Sequence, residues 1–358
     1  MMSNIGLYVH VPFCLSKCPY CDFYSVKYSR SLAAAYTKAV IRNLGQYGDT
    51  FDTVYFGGGT PILMWEGVCE ILKSVKIADG AEITLEANPC VTTEQALCRL
   101  REAGVNRISL GVQSLSPSEL VFLGRRHSAE QAENAILLAH KAGFTNISAD
   151  IMLGLEGQTK ESLKYTIERL SELPITHVSA YMLKIEEGTP FAARKLNLPD
   201  EESVSELYLY TVSLLEEKGF MQYEISNFAK NGYECQHNLK YWRCKEYLGI
   251  GAAAHSYYGG KRFCTERNIE GFTSSEIQQI TVTDDNPGGF EEYAMLRLRL
   301  SEGLSFSDCE SFGVSREEVL KRCIIIPDSL ILQTEKEISL TPQGFLVSNA
   351  VIGKILGY

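Results

Sequence analysis

Along the first half of the chain two hydrophobic rhythms alternate. Short β-branched and apolar runs recur at LYVHV (7 to 11), DTVYF (52 to 56), EITLEA (82 to 87), RISLGV (107 to 112), NISADIML (146 to 153) and HVSAYML (177 to 183), and these read as buried parallel strands. Between them, in SLAAAYTKAVIRNL, EGVCEILKSV, TEQALCRLREAG, AEQAENAILLAHKAG and TKESLKYTIERLSEL, apolar residues fall three and four apart. That spacing predicts amphipathic helices. Thr92 and Thr159 stand before acidic helix starts, and Gly104 and Gly143 stand where a helix ends in a left-handed residue. Six strands alternating with helices imply successive right-handed βαβ units, hence an α/β fold: an open or partial (β/α)6 barrel, short of the closed eight. Chemistry in such a barrel belongs at the C-terminal ends of the strands.

The alternation stops after EESVSELYLYTVSLLEEKG (201 to 219), so residues 1–220 form the predicted barrel unit. Residues 221–285 make a less regular, aromatic-rich extension, and TVTDDNPGGF (281 to 290) reads as a linker. Residues 286–358 show helices, a hairpin-like pair of short strands and a last helix, which predicts a small C-terminal α+β winged-helix-like module. A chain of 358 residues that is 45% hydrophobic suffices for one large core and such a module. Its net charge of −10 argues against a broad nucleic-acid surface, because phosphate binding is built on clustered Lys and Arg. No apolar run approaches the roughly 20 residues of a membrane span, and the N-terminus has no basic-then-apolar leader, so the expected location is cytoplasmic. A peripheral membrane contact and a homodimer stay open. Eleven cysteines, an odd count in a long chain, point away from a disulfide framework and toward metal or redox chemistry.

Three of those cysteines cluster. In CLSKCPYCDF, residues 14 to 23, Cys14, Cys18 and Cys21 follow the first strand, on the face where a barrel carries its site. Thiolates select zinc or iron–sulfur. A structural zinc wants four closed ligands, which His10 could complete, whereas a cluster held by three cysteines leaves one iron open to a small molecule. The other cysteines stand singly and read as small buried apolar residues. Gly57, Gly58 and Gly59 end the second strand and remove side chains where a ligand approaches the backbone; the plain alternative is a tight βα turn. Glu86, Gln113 and Asp150 are polar residues in otherwise apolar strand contexts, and together suggest a lined pocket.

CLSKCPYC is similar to the CxxxCxxC signature of the radical S-adenosylmethionine (SAM) superfamily, and YFGGGTP (55 to 61) resembles its glycine-rich SAM motif. The resemblance implies a [4Fe–4S] cluster on Cys14, Cys18 and Cys21, with SAM chelating the open iron. LYVHVPFC, FGGGTP, LEANP, NRISLGVQS, LGRRH and DIMLGLEGQT match, in order, the HemN-type branch of oxygen-independent coproporphyrinogen oxidases and relatives. By that match Tyr8, Gly58, Gly59, Thr60, Glu86, Gln113, Arg125 and Asp150 contact SAM, with the neighbouring Arg126 an alternative to Arg125.

True coproporphyrinogen dehydrogenases of this branch carry a fourth cysteine where this chain has Phe23, and a longer segment before the loop. The chain resembles instead the HemW group, which binds haem and passes it to acceptor proteins. HNLKYW (237 to 242) matches that group's HNxxYW motif, which makes His237 the expected haem ligand with Tyr241 and Trp242 packing nearby. His255 and His10 are alternative ligands. Read without the family, a histidine beside aromatics is more often a satisfied structural residue. A catalyst acting on a tetrapyrrole or another substrate, supplied by an unidentified electron donor, remains the alternative reading. For the C-terminal module, whose charges are balanced, a protein-facing role is favoured over nucleic acid.

Overall fold

The computed structural model describes residues 5–358. The six sequence-predicted strands form as β1 (Ile5–Val11), β2 (Thr50–Gly58), β3 (Lys76–Ala87), β4 (Arg107–Gln113), β5 (Asn146–Leu153) and β6 (His177–Met182). The long helix after each is α1 (Arg30–Leu44), α2 (Trp65–Ser74), α3 (Glu94–Glu102), α4 (Ala129–Lys141), α5 (Lys160–Ser171) and α6 (Glu201–Glu217), with a short helix, Pro117–Phe122, between β4 and α4. Neighbouring strands from β1 to β6 pair in parallel and in sequence order, which is the partial (β/α)6 arrangement.

Caps explain where several helices begin. Ser128 and Gln131 form a reciprocal capping box at α4, and Thr159 and Ser162 form one at α5. At α3 the cap is Thr93, whose hydroxyl accepts from the Ala96 amide; the Thr92 expected from the sequence instead closes a short 3-10 turn, its hydroxyl donating to the Asn88 carbonyl. Gly104 and Gly143 adopt φ of +106° and +92°, the left-handed conformation that ends a helix.

Strand alternation sorts the side chains into two populations. Leu7, Val9 and Val11 of β1, Val54 and Phe56 of β2, and Ile108, Leu110 and Val112 of β4 are fully buried in one core with the apolar faces of the helices. Each such side chain contributes on the order of 1.5–3 kcal/mol relative to exposure. The alternate positions are polar or aromatic: Tyr8 and His10, Thr53 and Tyr55, Thr84 and Glu86, Arg107 and Ser109, Ser148 and Asp150, His177 and Ser179. The sheet therefore has an apolar outer face and a polar inner one.

The stretch after residue 220 extends both edges of the same sheet. β7 (Met221–Glu224) and β8 (Asn227–Ala229) add antiparallel strands beyond β6. The short helix α7 (Gln236–Trp242) then leads to β9 (Tyr247–Ile250), which pairs in parallel with β1, followed by antiparallel β10 (His255–Tyr258), β11 (Lys261–Thr265) and β12 (Ile280–Asp284). The resulting order is β12-β11-β10-β9-β1-β2-β3-β4-β5-β6-β8-β7, a curved open sheet of twelve strands. The C-terminal module has its own antiparallel sheet, with β15 (Glu337–Leu340) between β13 (Leu304–Ser305) and β14 (Ile331–Gln333). Helices Phe306–Ser311 and Arg316–Cys323 precede its hairpin and Pro342–Leu346 and Ser348–Leu356 follow, in keeping with the winged-helix-like expectation. Among the described residues no helix is long and apolar enough to cross a membrane.

Candidate functional site

The polar inner face lines a cavity of about 520 Å³ that opens at the C-terminal ends of the strands. Residues two apart along β4 descend its wall, from Gln113 at the rim through Gly111 and Ser109 to Arg107 at depth. Tyr55, Glu86, Asp150 and Ser179 belong to the same wall, Met152 and Tyr181 lie above them, and Cys14, Cys18 and Cys21 form its upper side. The volume falls within the range of small-molecule sites.

Two glycines bring the strand end against the cysteine loop. A Cβ on Gly59 would lie 2.7 Å from the Phe13 carbonyl oxygen, and Gly58 takes φ +111° with its Cα packed against the His10 ring. A side chain on Gly59 would push the loop away from β2, and one on Gly58 would collide with the His10 ring of β1. All three clustered cysteines are free thiols, partly exposed to the cavity. The Thr60 hydroxyl donates to Cys14 Sγ at 3.6 Å, and Arg125 Nη1 donates to Cys18 Sγ at 3.5 Å. Hydrogen-bond donors aimed at sulfur suit thiolate ligands. Burial pushes the Cys21 thiol up, which a bound metal would reverse. A zinc site completed by His10 does not fit, because that ring is engaged at both nitrogens, by the Tyr8 hydroxyl at 2.9 Å and the Tyr24 carbonyl at 3.0 Å. Among the described residues no three His, Cys, Asp or Glu side chains converge on one metal ion. The thiols fit a cluster, which takes one ligand per iron.

Gly58, Gly59, Thr60, Glu86, Gln113, Arg125 and Asp150 all line this cavity. Tyr8 does not: its hydroxyl is turned to His10. Arg125 is held by the Gly111 carbonyl at 2.6 Å and by Cys18 and Tyr20, while Arg126 is exposed. A register shift between Gly111 and Gln113 and a φ of +70° at Gln113 mark a bent strand end there. Glu86 accepts from the Tyr55 hydroxyl at 2.9 Å and the Gly58 amide at 3.0 Å, and Asp150 accepts from Ser109 at 3.0 Å. Burial, then the charge of Asp150, pushes Glu86 up to about 7, against the pull of its two hydrogen bonds and of Arg107. Burial also raises Asp150, opposed by Ser109 and Arg107. The site thus holds two carboxyl groups that a cationic ligand would favour in ionised form.

His237 lies elsewhere. Helix α7 closes the inner face near the N-terminal ends of the strands, where the His237 side chain is fully buried and stacked on Tyr55 with ring centroids 5.3 Å apart. Its Nδ1 meets the Thr53 hydroxyl and its Nε2 the Tyr241 hydroxyl, each at 2.8 Å, and its backbone amide donates to Glu82 at 3.0 Å. Axial ligation of haem iron requires a ring nitrogen free of partners and open to the macrocycle, and His237 in this arrangement offers neither. From this helix only Asn238 reaches the cavity lining. Tyr241 packs edge-on against Tyr247 at 4.4 Å, and Trp242 is partly buried; neither lines the cavity. His255, the other alternative, is exposed at the start of β10.

Sequence reasoning passed over Tyr55, Arg107, Ser109, Ser179 and Tyr181 as cavity residues. The available signal was the period of two: once Asp150 and Glu86 are taken as inward, every second residue of the neighbouring strands must be inward too.

The profile described as "Radical SAM superfamily" matches residues 8–170. A Bacillus subtilis protein named "Heme chaperone HemW" is 34% identical over 377 residues, covering 98% of this chain and 98% of its own. The Escherichia coli protein of the same name is 37% identical over 320 residues, 84% of each chain. Among solved structures, that of "Coproporphyrinogen III oxidase (HemN) from Escherichia coli" superposes with a TM-score of 0.82 at 21% identity, covering 100% of this chain and 91% of that one, a likeness of fold.

Proposed function

The chain belongs to the radical SAM superfamily and, within it, to the HemW family, and from that premise we propose that it is a haem carrier: it holds a [4Fe–4S] cluster, SAM and haem, and hands the haem to acceptor proteins in the cytoplasm. The observation that carries this reading is extent. Likeness to a haem chaperone over 98% of both chains takes in the barrel, the aromatic-rich stretch and the C-terminal module alike.

In this reading Cys14, Cys18 and Cys21 hold the cluster, which when bound supplies one electron at a time to a neighbouring SAM. The chain's own residues bind and orient. Arg125 and Thr60 fix the thiolate side by their contacts to Cys18 and Cys14. Glu86 and Asp150 receive the amino and hydroxyl groups of SAM, and Arg125 its carboxylate. Haem belongs at the mouth of the cavity. Phe23 is 62% exposed and Tyr181 43% exposed there, an apolar rim suited to a macrocycle face, with Lys17 and Lys184 on the same lining for its propionates. Phe23 occupies the place of the fourth cysteine of the dehydrogenases and gives the rim its apolar character. His237, Tyr241 and Trp242 then act as the plug that shapes the inner end of the site. A homodimer and a separate electron donor complete the reading.

A catalyst acting on a tetrapyrrole is the second reading, favoured by the intact set of polar cavity residues. Anaerobic reconstitution with iron and sulfide, followed by haem titration, tests the first. A saturable Soret change at one haem per chain is expected, and no binding overturns it.

A further inference from the structure

At the inner end of the cavity one cation has its hydrogen-bonding capacity unspent. Arg107, the first residue of β4, lines the cavity and is only 2% exposed. Its Nε has no hydrogen-bond partner, and among the described residues its guanidinium makes no ion pair. The carboxyl groups nearest in the fold are committed elsewhere. Glu82 accepts from the amides of Gln236 and His237 and from the Cys235 thiol, Glu86 from the Tyr55 hydroxyl and the Gly58 amide, and Asp150 from Ser109. Thr84, beside Arg107 in register on β3, is fully buried and its hydroxyl has no partner either. Folded proteins pair their buried polar groups, and a buried guanidinium is among the costliest to leave unpaired.

We infer that the inner end of the cavity is a binding subsite for a carboxylate, with Arg107 as its anchor. The guanidinium is a planar fork of five donors that always carries its charge, and it matches a carboxylate in a bidentate pair. Asn238, the one residue of α7 that reaches the lining, supplies a side-chain amide at the same end. The subsite lies below the strand-end groups assigned to SAM and does not depend on SAM occupying them.

Size and charge narrow the ligand. The whole cavity measures about 520 Å³, so a molecule seated on Arg107 beneath a second ligand is compact, a short-chain carboxylic acid and not a tetrapyrrole. Asp150 and Glu86 stand on the same wall and oppose an anion of more than one charge. Burial pushes Glu86 up to about 7 with Arg107 in place, so its carboxyl is about half protonated at neutral pH and repels a monoanion little. A monocarboxylate is therefore preferred over phosphate.

The test measures binding of sodium propionate to the reconstituted native chain, Arg107→Met and Arg107→Lys at constant ionic strength, by calorimetry and saturation-transfer NMR. Propionamide serves as the neutral analogue of the same shape, and inorganic phosphate as the competing anion. The native chain should bind one propionate and no propionamide. Arg107→Met should bind it about ten- to a hundredfold more weakly, the worth of a charge-assisted bidentate pair. Arg107→Lys should fall between them, because an ammonium keeps the charge and lacks the fork. Propionate binding unchanged in Arg107→Met would put the ligand on another cation, such as Arg125, and overturns the inference. So does a native chain that binds no propionate, binds propionamide equally, or prefers phosphate. Should Arg107→Met fail to fold, crystals of the native chain grown with 3-bromopropionate decide: anomalous signal from bromine in the cavity beside Arg107 is expected, and signal only elsewhere, or none, contradicts the proposal.

Discussion

Replacing His237 by alanine separates a structural histidine from a haem ligand. The native imidazole is fully buried, satisfies the hydroxyls of Thr53 and Tyr241, and stacks on Tyr55. The variant loses two hydrogen bonds, about 1 kcal/mol each, and leaves two hydroxyls in a space that has lost a ring. Cavity formation and the lost aromatic contact add roughly 1–3 kcal/mol. We therefore expect destabilisation of about 3–5 kcal/mol, lowering the thermal midpoint of the reconstituted protein by roughly 4–7 °C. Glutamine, which can meet one hydroxyl, should recover part of that. Haem titrations run well below the variant's midpoint should give native stoichiometry and an unshifted Soret band. A midpoint within 1 °C of native, together with loss or displacement of the Soret band, would refute the reasoning and return His237 to the haem.

Three further outcomes follow from the same geometry. Alanine at Cys14, Cys18 or Cys21 should strip iron from the anaerobically reconstituted protein, whereas Cys98→Ala and Cys309→Ala should retain it, as read by iron analysis and the charge-transfer absorption. Tyr181→Ala and Lys184→Glu should each weaken haem binding about three- to tenfold while leaving the cluster spectrum unchanged; a native haem affinity in both would move haem off the cavity mouth. Burial holds His237 at about 3 and His127 at about 4, below the usual histidine value near 6.5. Their neutral burial is fully stabilising above pH 6.5 and is lost as pH falls toward 4, because the unfolded chain takes up protons that the folded one refuses. Thermal midpoints should fall over that window, and less steeply in His237→Gln.

The alternating strands and helices of the first half were legible because buried parallel strands and amphipathic helices differ in period, and the cysteine loop because three thiols at that spacing have few other uses. The places where the open sheet grows were not. Residues 221–229 and 247–284 join opposite edges of one sheet, β6 on one side and β1 on the other, and no local pattern states which edge a short strand will meet. The surroundings of the histidine in HNLKYW were not legible for a related reason. A motif shows which residues travel together, but the burial of His237 depends on Thr53, which lies 184 positions away. Arg107 escaped notice because a charged residue at the start of a strand usually reads as solvated, and only the curvature of the sheet turns it inward.

The central claim, a haem carrier built on a radical SAM site, is tested most directly by incubating the reconstituted protein anaerobically with SAM, a strong reductant, coproporphyrinogen and one equivalent of haem, and then quantifying tetrapyrroles and protein-bound haem in the same sample. The account predicts haem retained at one per chain and coproporphyrinogen recovered intact. Conversion to protoporphyrinogen over many turnovers would contradict it.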